Sequence, residues 1–188
     1  MIGKGVAAAP KAAGNAPAAP ANGAAVPAPV VSEVGVYYDK AGKWADLSPE
    51  PVNFKSGGVL KTIGTAGIVK GDMSGHLNGS HSPNQLKTPI EILVYTREGI
   101  AITEYQLLRL RDQKDAREFR TVTGVFHASG GATRDLMPFD GKKVAPRTYT
   151  ISLTNLGPGE YGLLPPTAGD GTGTTGRLGK LYTFRVIE

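Results

Sequence analysis

The chain lacks cysteine altogether, and it also lacks any long apolar run. The absence of cysteine excludes disulfide bonds, thiolate metal ligands and a cysteine nucleophile, although it leaves the cellular compartment open. No apolar stretch reaches the roughly 18 residues needed to span a bilayer. The first residues also lack the charged segment and apolar core of a secretory signal. We therefore expect neither a membrane-spanning helix nor a cleaved signal in this chain.

Residues 1–30 contain almost no side chains that could build a core. They are nearly all alanine, proline, glycine and asparagine, with two lysines and no acidic residue. This composition cannot offset the entropy of ordering, so we expect a disordered Ala/Pro linker at 1–30 and a single folded domain at 31–188. Because such a linker usually follows a membrane anchor, a lipoprotein signal or another domain, we expect that Met1 is an internal or mis-called start and that one of these three lies upstream in a longer protein.

The charge balance is mildly basic. The chain has 21 Lys and Arg residues against 16 Asp and Glu residues, a formal net charge of +5, and two of the lysines lie in the linker. This excess is too small to predict a nucleic-acid partner.

Short β-rich runs separated by turn residues make up the rest of the chain. Two aromatic runs flank the turn-forming sequence DKAGK, which predicts a hairpin. The segment TPIEILVYT predicts a strand with Ile90, Ile92 and Val94 on one face. Runs of this length and spacing predict an all-β fold, specifically an antiparallel β-sandwich of immunoglobulin-like or jelly-roll-like type.

Residues 103–119 fit two different structures. Thr103 and Gln106 have the spacing of a capping box, and the segment consists of tolerable helix formers, so a helix is one alternative. A hairpin around a charged turn at 112–115 is the other. The alternation of side chains from Tyr105 onward favours the hairpin.

Three parts of the sequence carry a resemblance to a protein family. They are GVYYDKAGKWADLSPE near the start, EYQLLRLRDQKDAREFRTV in the middle, and LGPGEYGLLPP followed by GKLYTFRVIE at the end. Over these segments the chain resembles a group of exported, β-rich bacterial domains with a Tyr-Tyr/Trp hairpin, an LLRL hairpin and a closing Pro-Gly-Glu-Tyr hairpin. The resemblance implies a secreted, periplasmic or cell-surface location, and it implies no reaction and no catalytic residue.

The stretch TVTGVFHASGGATRD, residues 121–135, contains a serine, a histidine and an aspartate. Two positions apart on one strand, His127 and Ser129 would lie about 7 Å from each other, too far for a direct hydrogen bond. The stretch also lacks the nucleophile elbow G-x-S-x-G. We therefore expect no catalytic triad here, but a strand that ends in a Gly-Gly turn, with Arg134 and Asp135 as solvated loop charges.

The three histidines raise the question of a metal site. His76 and His81 lie in the loop-like sequence GHLNGSHSPNQ, and with His127 they would supply the three imidazoles that a catalytic zinc site can use. His76 and His81 are five positions apart, which matches neither the i, i+4 pairing on a helix nor the i, i+2 pairing on a strand. We expect incidental surface histidines and no metal or cofactor, with a hydrolase or metal-dependent enzyme as the alternative.

Aromatic side chains suggest a ligand-binding surface. Tyr37, Tyr38 and Trp44 lie close together across the predicted hairpin, and exposed rings would form a platform for the apolar faces of sugars. Alternation along a strand points Tyr37 and Tyr38 to opposite faces, so packing of Trp44 and one tyrosine into the core is the competing interpretation.

A group of arginines suggests a second, anionic-surface-binding site. It consists of Arg109, Arg111, Arg117 and Arg120 on the LLRL hairpin. Guanidinium groups suit acidic polysaccharide, phospholipid headgroups or nucleic acid. Interleaved acidic residues would pair with them across the strands, so a solvated, mixed-charge hairpin that protects a sheet edge is the competing interpretation.

These features lead to three functional hypotheses. The first is a non-catalytic, exported binding or structural module of the bacterial cell envelope that binds polysaccharide or another envelope protein. The second is the histidine-dependent enzyme. The third is a subunit of an extracellular assembly in which the closing strand, LYTFRVIE, adds to a neighbour's sheet.

Overall fold

We analysed a computed structural model of the chain, which describes residues 31–56, 72–122, 134–166 and 177–188. In these ranges the chain forms thirteen β-strands and one three-residue 3-10 helix, Ile102–Glu104. The predicted all-β class is confirmed. The strands form a barrel and a separate sheet.

The separate sheet has five antiparallel strands. Their order is β10-β11-β6-β1-β2. Their bounds are β1, Gly35–Lys40; β2, Lys43–Asp46; β6, Ile90–Tyr95; β10, Gly141–Ala145; and β11, Thr148–Leu153. The predicted hairpin around DKAGK is confirmed as β1 and β2. The predicted common face of Ile90, Ile92 and Val94 is also confirmed, because all three side chains are buried in one apolar cluster.

The barrel is closed by six antiparallel strands in the described part of the chain. Their order is β12-β13-β3-β4-β8-β7, and β7 pairs back with β12. Their bounds are β3, Pro49–Ser56; β4, Asp72–Asn78; β7, Gln106–Gln113; β8, Ala116–Val122; β12, Gly159–Leu164; and β13, Arg177–Val186. Two short strands lie beside the barrel: β5, Gln85–Leu86, next to β13, and β9, Leu136–Met137, next to β7.

One apolar core lies between the sheet and the barrel. Tyr161 of β12 and Phe184 of β13 stack with ring centroids 5.7 Å apart, and both belong to the same cluster as Val36, Ile92 and Ile151 of the sheet. Alternation explains the arrangement, because every second residue of a strand faces the same side. The sheet is thereby fixed against one side of the barrel.

A second core fills the barrel. Phe54 and Phe119 meet edge to face with centroids 5.9 Å apart, and Leu108 and Leu181 are also buried there. Gly75 of β4 faces this interior, and a methyl group at that position would overlap the Phe119 ring. A glycine is therefore needed where the ring crosses the barrel.

The structure decides between helix and hairpin at residues 103–119. Strands β7 and β8 pair as a hairpin, and Thr103 lies in the short 3-10 helix before it, so the predicted hairpin is confirmed. The expectation that the closing strand is an available edge is wrong. Strand β13 already pairs with β12 on one side and with β3 on the other, so its backbone is occupied. Within the described ranges, no helix is long and apolar enough to cross a membrane.

Candidate functional site

A groove opens on the outer wall of the barrel, beside the five-stranded sheet. Its volume is about 360 Å³. We call it the tyrosine groove. It is lined by Val34, Arg97, Ile100, Tyr105, Pro165, Pro166, Leu178, Gly179, Lys180 and Tyr182.

The alternation of strand β13 supplies one wall of the groove. Leu178, Lys180 and Tyr182 are two residues apart and therefore share the outer face of the strand. Further along the same face, Phe184 and Val186 are covered by the sheet. The groove thus lies where β13 emerges from beneath the sheet.

The connection between β6 and β7 supplies the opposite wall. The 3-10 helix is followed by Tyr105, whose backbone is extended and whose N–H donates to the Ile102 carbonyl at 3.1 Å. At the start of this helix, the Glu104 carboxylate accepts a hydrogen bond of 2.7 Å from the Ala101 N–H. These bonds fix the backbone of the turn that carries Tyr105.

Exposed apolar side chains mark the rim. Among the described residues, four large apolar side chains are exposed, and two of them, Leu178 and Val34, lie at this groove. Leu178 is 77% exposed, and together with Val34 it gives the groove an apolar rim. Exposed apolar surface beside polar groups is typical of a binding site.

Burial perturbs the phenol of Tyr105. Its pKa is raised to about 12, mainly because burial removes solvation from the charged form, with Tyr182 and Glu104 adding to the rise and Arg97 opposing it. Tyr105 is 7% exposed, which agrees with burial as the main cause. The phenol is therefore neutral at physiological pH and can both donate and accept a hydrogen bond.

The pKa values of the Tyr182 and Tyr37 phenols are also raised. Burial raises the pKa of Tyr182, and the charges of Asp46 and Tyr37 add to this effect against the opposing charge of Arg97. Burial, followed by Asp46 and Glu33, raises the pKa of Tyr37. Tyr37 thus lies within electrostatic range of the groove, although it is not part of its lining.

The lining of the groove carries positive charge. Arg97 and Lys180 are exposed, and no carboxylate occurs among the ten lining residues that the structure describes. Asp46 and Glu104 lie outside the lining, near the phenols. The groove therefore combines neutral hydroxyl groups, cations and apolar surface, which is a suitable combination for an anionic, hydroxyl-rich ligand.

The three aromatic residues predicted from the sequence do not share one face. Tyr37 and Trp44 lie on the outer face of the β1–β2 hairpin, because Tyr37 is opposite Asp46 and Trp44 is opposite Asp39. Tyr38 faces the other way and packs against the core beneath the sheet. Tyr37 and Trp44 are both half-buried, and the Tyr37 hydroxyl donates to the Glu33 carbonyl at 2.9 Å.

Arg117 does not belong to an exposed arginine surface. Its side chain is fully buried inside the barrel, where its two terminal nitrogens contact the Glu50 carboxylate at 3.1 and 2.5 Å. Its Nε donates to the Gly79 carbonyl at 2.9 Å, and Nη1 lies 3.7 Å from the Glu160 carboxylate. The expected set of four surface arginines therefore loses Arg117, because alternation turns it inward.

The other three arginines lie on the outer wall around Asp135. Arg111 binds the Asp135 carboxylate through Nε, at 3.0 Å, and through Nη2. The backbone N–H of Arg120 donates to the same carboxylate at 2.8 Å, and the Arg109 N–H donates to the Asp135 carbonyl. The expectation that Asp135 is a solvated loop charge is wrong, since it is 4% exposed, whereas Arg134 is half exposed.

The structure does not bring His76 and His81 together. On the barrel wall, His76 Nδ1 lies 3.2 Å from Glu118 Oε1. His81 Nδ1 lies 3.1 Å from Glu160 Oε1. His127 and Ser129 lie outside the described residues.

Sequence reasoning did not identify Tyr105, Tyr182 or Arg97. One signal was available for Tyr182, because the alternation in RLGKLYTF places a leucine, a lysine and a tyrosine on one face. The groove itself could not be predicted from the sequence, because its walls come from separate parts of the chain.

The chain matches no protein-family model, no curated protein and no solved structure. Its function must therefore be inferred from its own residues and their geometry. The resemblance to exported bacterial domains stays a prediction.

Proposed function

We propose that this protein is a non-catalytic binding module and that its tyrosine groove binds an acidic saccharide. One observation carries the proposal: the buried Tyr105 phenol, the half-buried Tyr182 phenol and two exposed cations line a groove with an apolar rim, and the ten lining residues that the structure describes include no carboxylate.

Each part of such a ligand has a counterpart in the groove. The hydroxyls of Tyr105 and Tyr182 can exchange hydrogen bonds with sugar hydroxyls, because a neutral phenol both donates and accepts. The apolar face of a sugar ring suits the exposed surface of Leu178. Arg97 and Lys180 suit a carboxylate, with Arg97 able to form a bidentate pair.

We also propose an exported, cell-envelope location for this module. The Ala/Pro composition of residues 1–30 and the resemblance to exported domains support it.

The packing of a sheet on one side of a barrel supports a relation to β-sandwiches of the immunoglobulin or jelly-roll type.

The two other hypotheses have less support. An enzyme built on three histidines needs them at one centre, yet His76 and His81 bond different glutamates. Among the described strands, the edges open to a neighbour are β2 and β10, the outer strands of the five-stranded sheet, and the two-residue strands β5 and β9. Lys142 and Lys143 on β10 are exposed charges that oppose strand addition.

Binding to polygalacturonate, an acidic polysaccharide, tests the proposal, with dextran as the uncharged comparison. We expect binding of the full chain to polygalacturonate alone, at least tenfold weakened by Arg97→Ala and by Tyr182→Ala. Tyr182→Phe keeps the packing and removes only the hydroxyl, so we expect a smaller loss. Raising the salt from about 0.1 to about 1 M should weaken binding by screening.

Two control variants distinguish the groove from other surfaces. Arg109→Ala removes an exposed arginine elsewhere on the barrel and should leave binding unchanged. Trp44→Ala removes the ring on the outer face of the hairpin and should also leave it unchanged. Binding lost in Trp44→Ala but retained in Arg97→Ala would place the ligand on the hairpin and reject the groove. Absence of binding to both polysaccharides would reject the proposal.

A further inference from the structure

We propose that His81, Asp112 and Glu160 form a site for a divalent transition-metal ion of the zinc type. The site lies at the end of the barrel where strand β7 ends and strand β12 begins. It is separate from the saccharide-binding proposal and does not depend on it.

Three separate elements bring the ligand atoms together. Asp112 lies near the end of β7, Glu160 near the start of β12, and His81 in the connection after β4. One ligand atom from each lies within 4.8 Å of the other two, and His81 Nδ1 is 3.1 Å from Glu160 Oε1. Ligands of a tetrahedral zinc ion lie about 2.0–2.2 Å from the metal, so small side-chain adjustments suffice.

The Glu160 carboxylate is held with one oxygen toward this site. Its side chain is 2% exposed. Oε2 accepts a hydrogen bond of 2.9 Å from the Ser82 N–H and lies 3.7 Å from Arg117. Oε1 faces His81 instead. Outer contacts that fix a ligand oxygen in this way are typical of metal sites.

The local charge is compatible with a cation. Arg117 is matched by Glu50, whose two oxygens it contacts. The other cation near the site is Arg185, whose Nε lies 3.6 Å from Glu160 Oε1. Its single positive charge is opposed by the two negative charges of Asp112 and Glu160. With a neutral imidazole the site carries one net negative charge.

The donor set indicates the class of metal. One imidazole nitrogen and two carboxylate oxygens suit zinc and its neighbours in the first transition row better than calcium or magnesium, which prefer oxygen alone. Three protein ligands leave one position for water. Bound metal would tie three elements together at this end of the barrel and so stabilise the folded state.

Calorimetric titration of the metal-free full chain with ZnCl₂ tests the site, with MgCl₂ as the comparison. We expect one zinc ion per chain, no comparable uptake of magnesium, and a melting temperature that rises with zinc concentration. His81→Ala and Asp112→Ala should each weaken zinc binding at least tenfold. Without metal, Asp112→Ala should melt near the parent because Asp112 is exposed, whereas His81→Ala should melt lower because it removes a hydrogen-bond partner of the buried Glu160 carboxylate.

His76→Ala is the matched control. His76 also pairs with a glutamate, Glu118, but does not belong to the three-ligand group, so zinc affinity should be unchanged. Zinc bound equally by the parent, His81→Ala and Asp112→Ala, or no zinc bound by the parent, would overturn the proposal.

Discussion

Replacing Arg117 with methionine removes the cation that Glu50 and Glu160 contact inside the barrel. The guanidinium is fully buried, and it also donates to the backbone carbonyls of Gly79 and Asn78. Methionine has a similar length and no charge, so the main effect is electrostatic. Leaving buried carboxylates without their partner costs about 3–5 kcal/mol. The Glu50 side chain is 19% exposed, which favours the lower end of that range.

Urea unfolding at neutral pH measures this loss, because the free energy of unfolding falls linearly with denaturant. We expect a loss of about 3 kcal/mol in Arg117→Met, a large part of the ~5–15 kcal/mol that stabilises a domain. Adding Glu50→Gln should recover part of the loss, since it removes one unpaired charge. The exposed Arg109→Met should change stability by less than about 0.5 kcal/mol. A loss below about 1 kcal/mol in Arg117→Met, or no recovery in the double variant, would refute the reasoning.

Three further predictions concern stability. Gly75→Ala should cost about 1–3 kcal/mol in urea unfolding, because its methyl group overlaps the Phe119 ring, and Phe119→Leu should relieve part of this cost. Between pH 10 and about 12 the unfolded chain releases the Tyr105 proton while the folded chain retains it, so stability should fall by at most about 2 kcal/mol as the pH rises. Over the same pH range, the free energy of unfolding of Tyr105→Phe should fall less than that of the parent. Arg111→Ala should lower stability by about 1–3 kcal/mol because it deprives the buried Asp135 carboxylate of a partner, and thermal unfolding checks this.

Local patterns in the sequence predicted the local structure. The turn residues of DKAGK predicted the β1–β2 hairpin, and alternation predicted both the buried face of β6 and the β7–β8 hairpin. These features depend on residues close together in the chain. Closure of the barrel depends on pairing between Gln106–Gln113 and Gly159–Leu164, which no short-range pattern specifies.

Arg117 and Asp135 show why the candidate sites were harder to predict. Alternation puts Arg117 on the same face as Phe119, but a charged residue on that face gains its partners only from distant strands, through Glu50 and Glu160. Asp135 is buried by the same kind of long-range contact, with Arg111. A solvated position was the reasonable expectation for both, because charged residues are rarely buried without a partner.

The sequence did not predict the tyrosine groove for a related reason. Its phenols belong to Tyr105 and Tyr182, 77 positions apart in the sequence. The predicted aromatic platform used residues that were neighbours in the hairpin, and alternation separates Tyr38 from Tyr37 and Trp44. Proximity in sequence therefore identified aromatic residues but not the surface they share.

Mapping of amide chemical shifts in the full chain during titration with an oligogalacturonate tests the central claim most directly. We predict that the largest shifts, saturating with ligand, come from Arg97, Tyr105, Lys180 and Tyr182. Shifts confined to the hairpin around Trp44, or no saturable shifts at all, would contradict the assignment of the groove as the binding site.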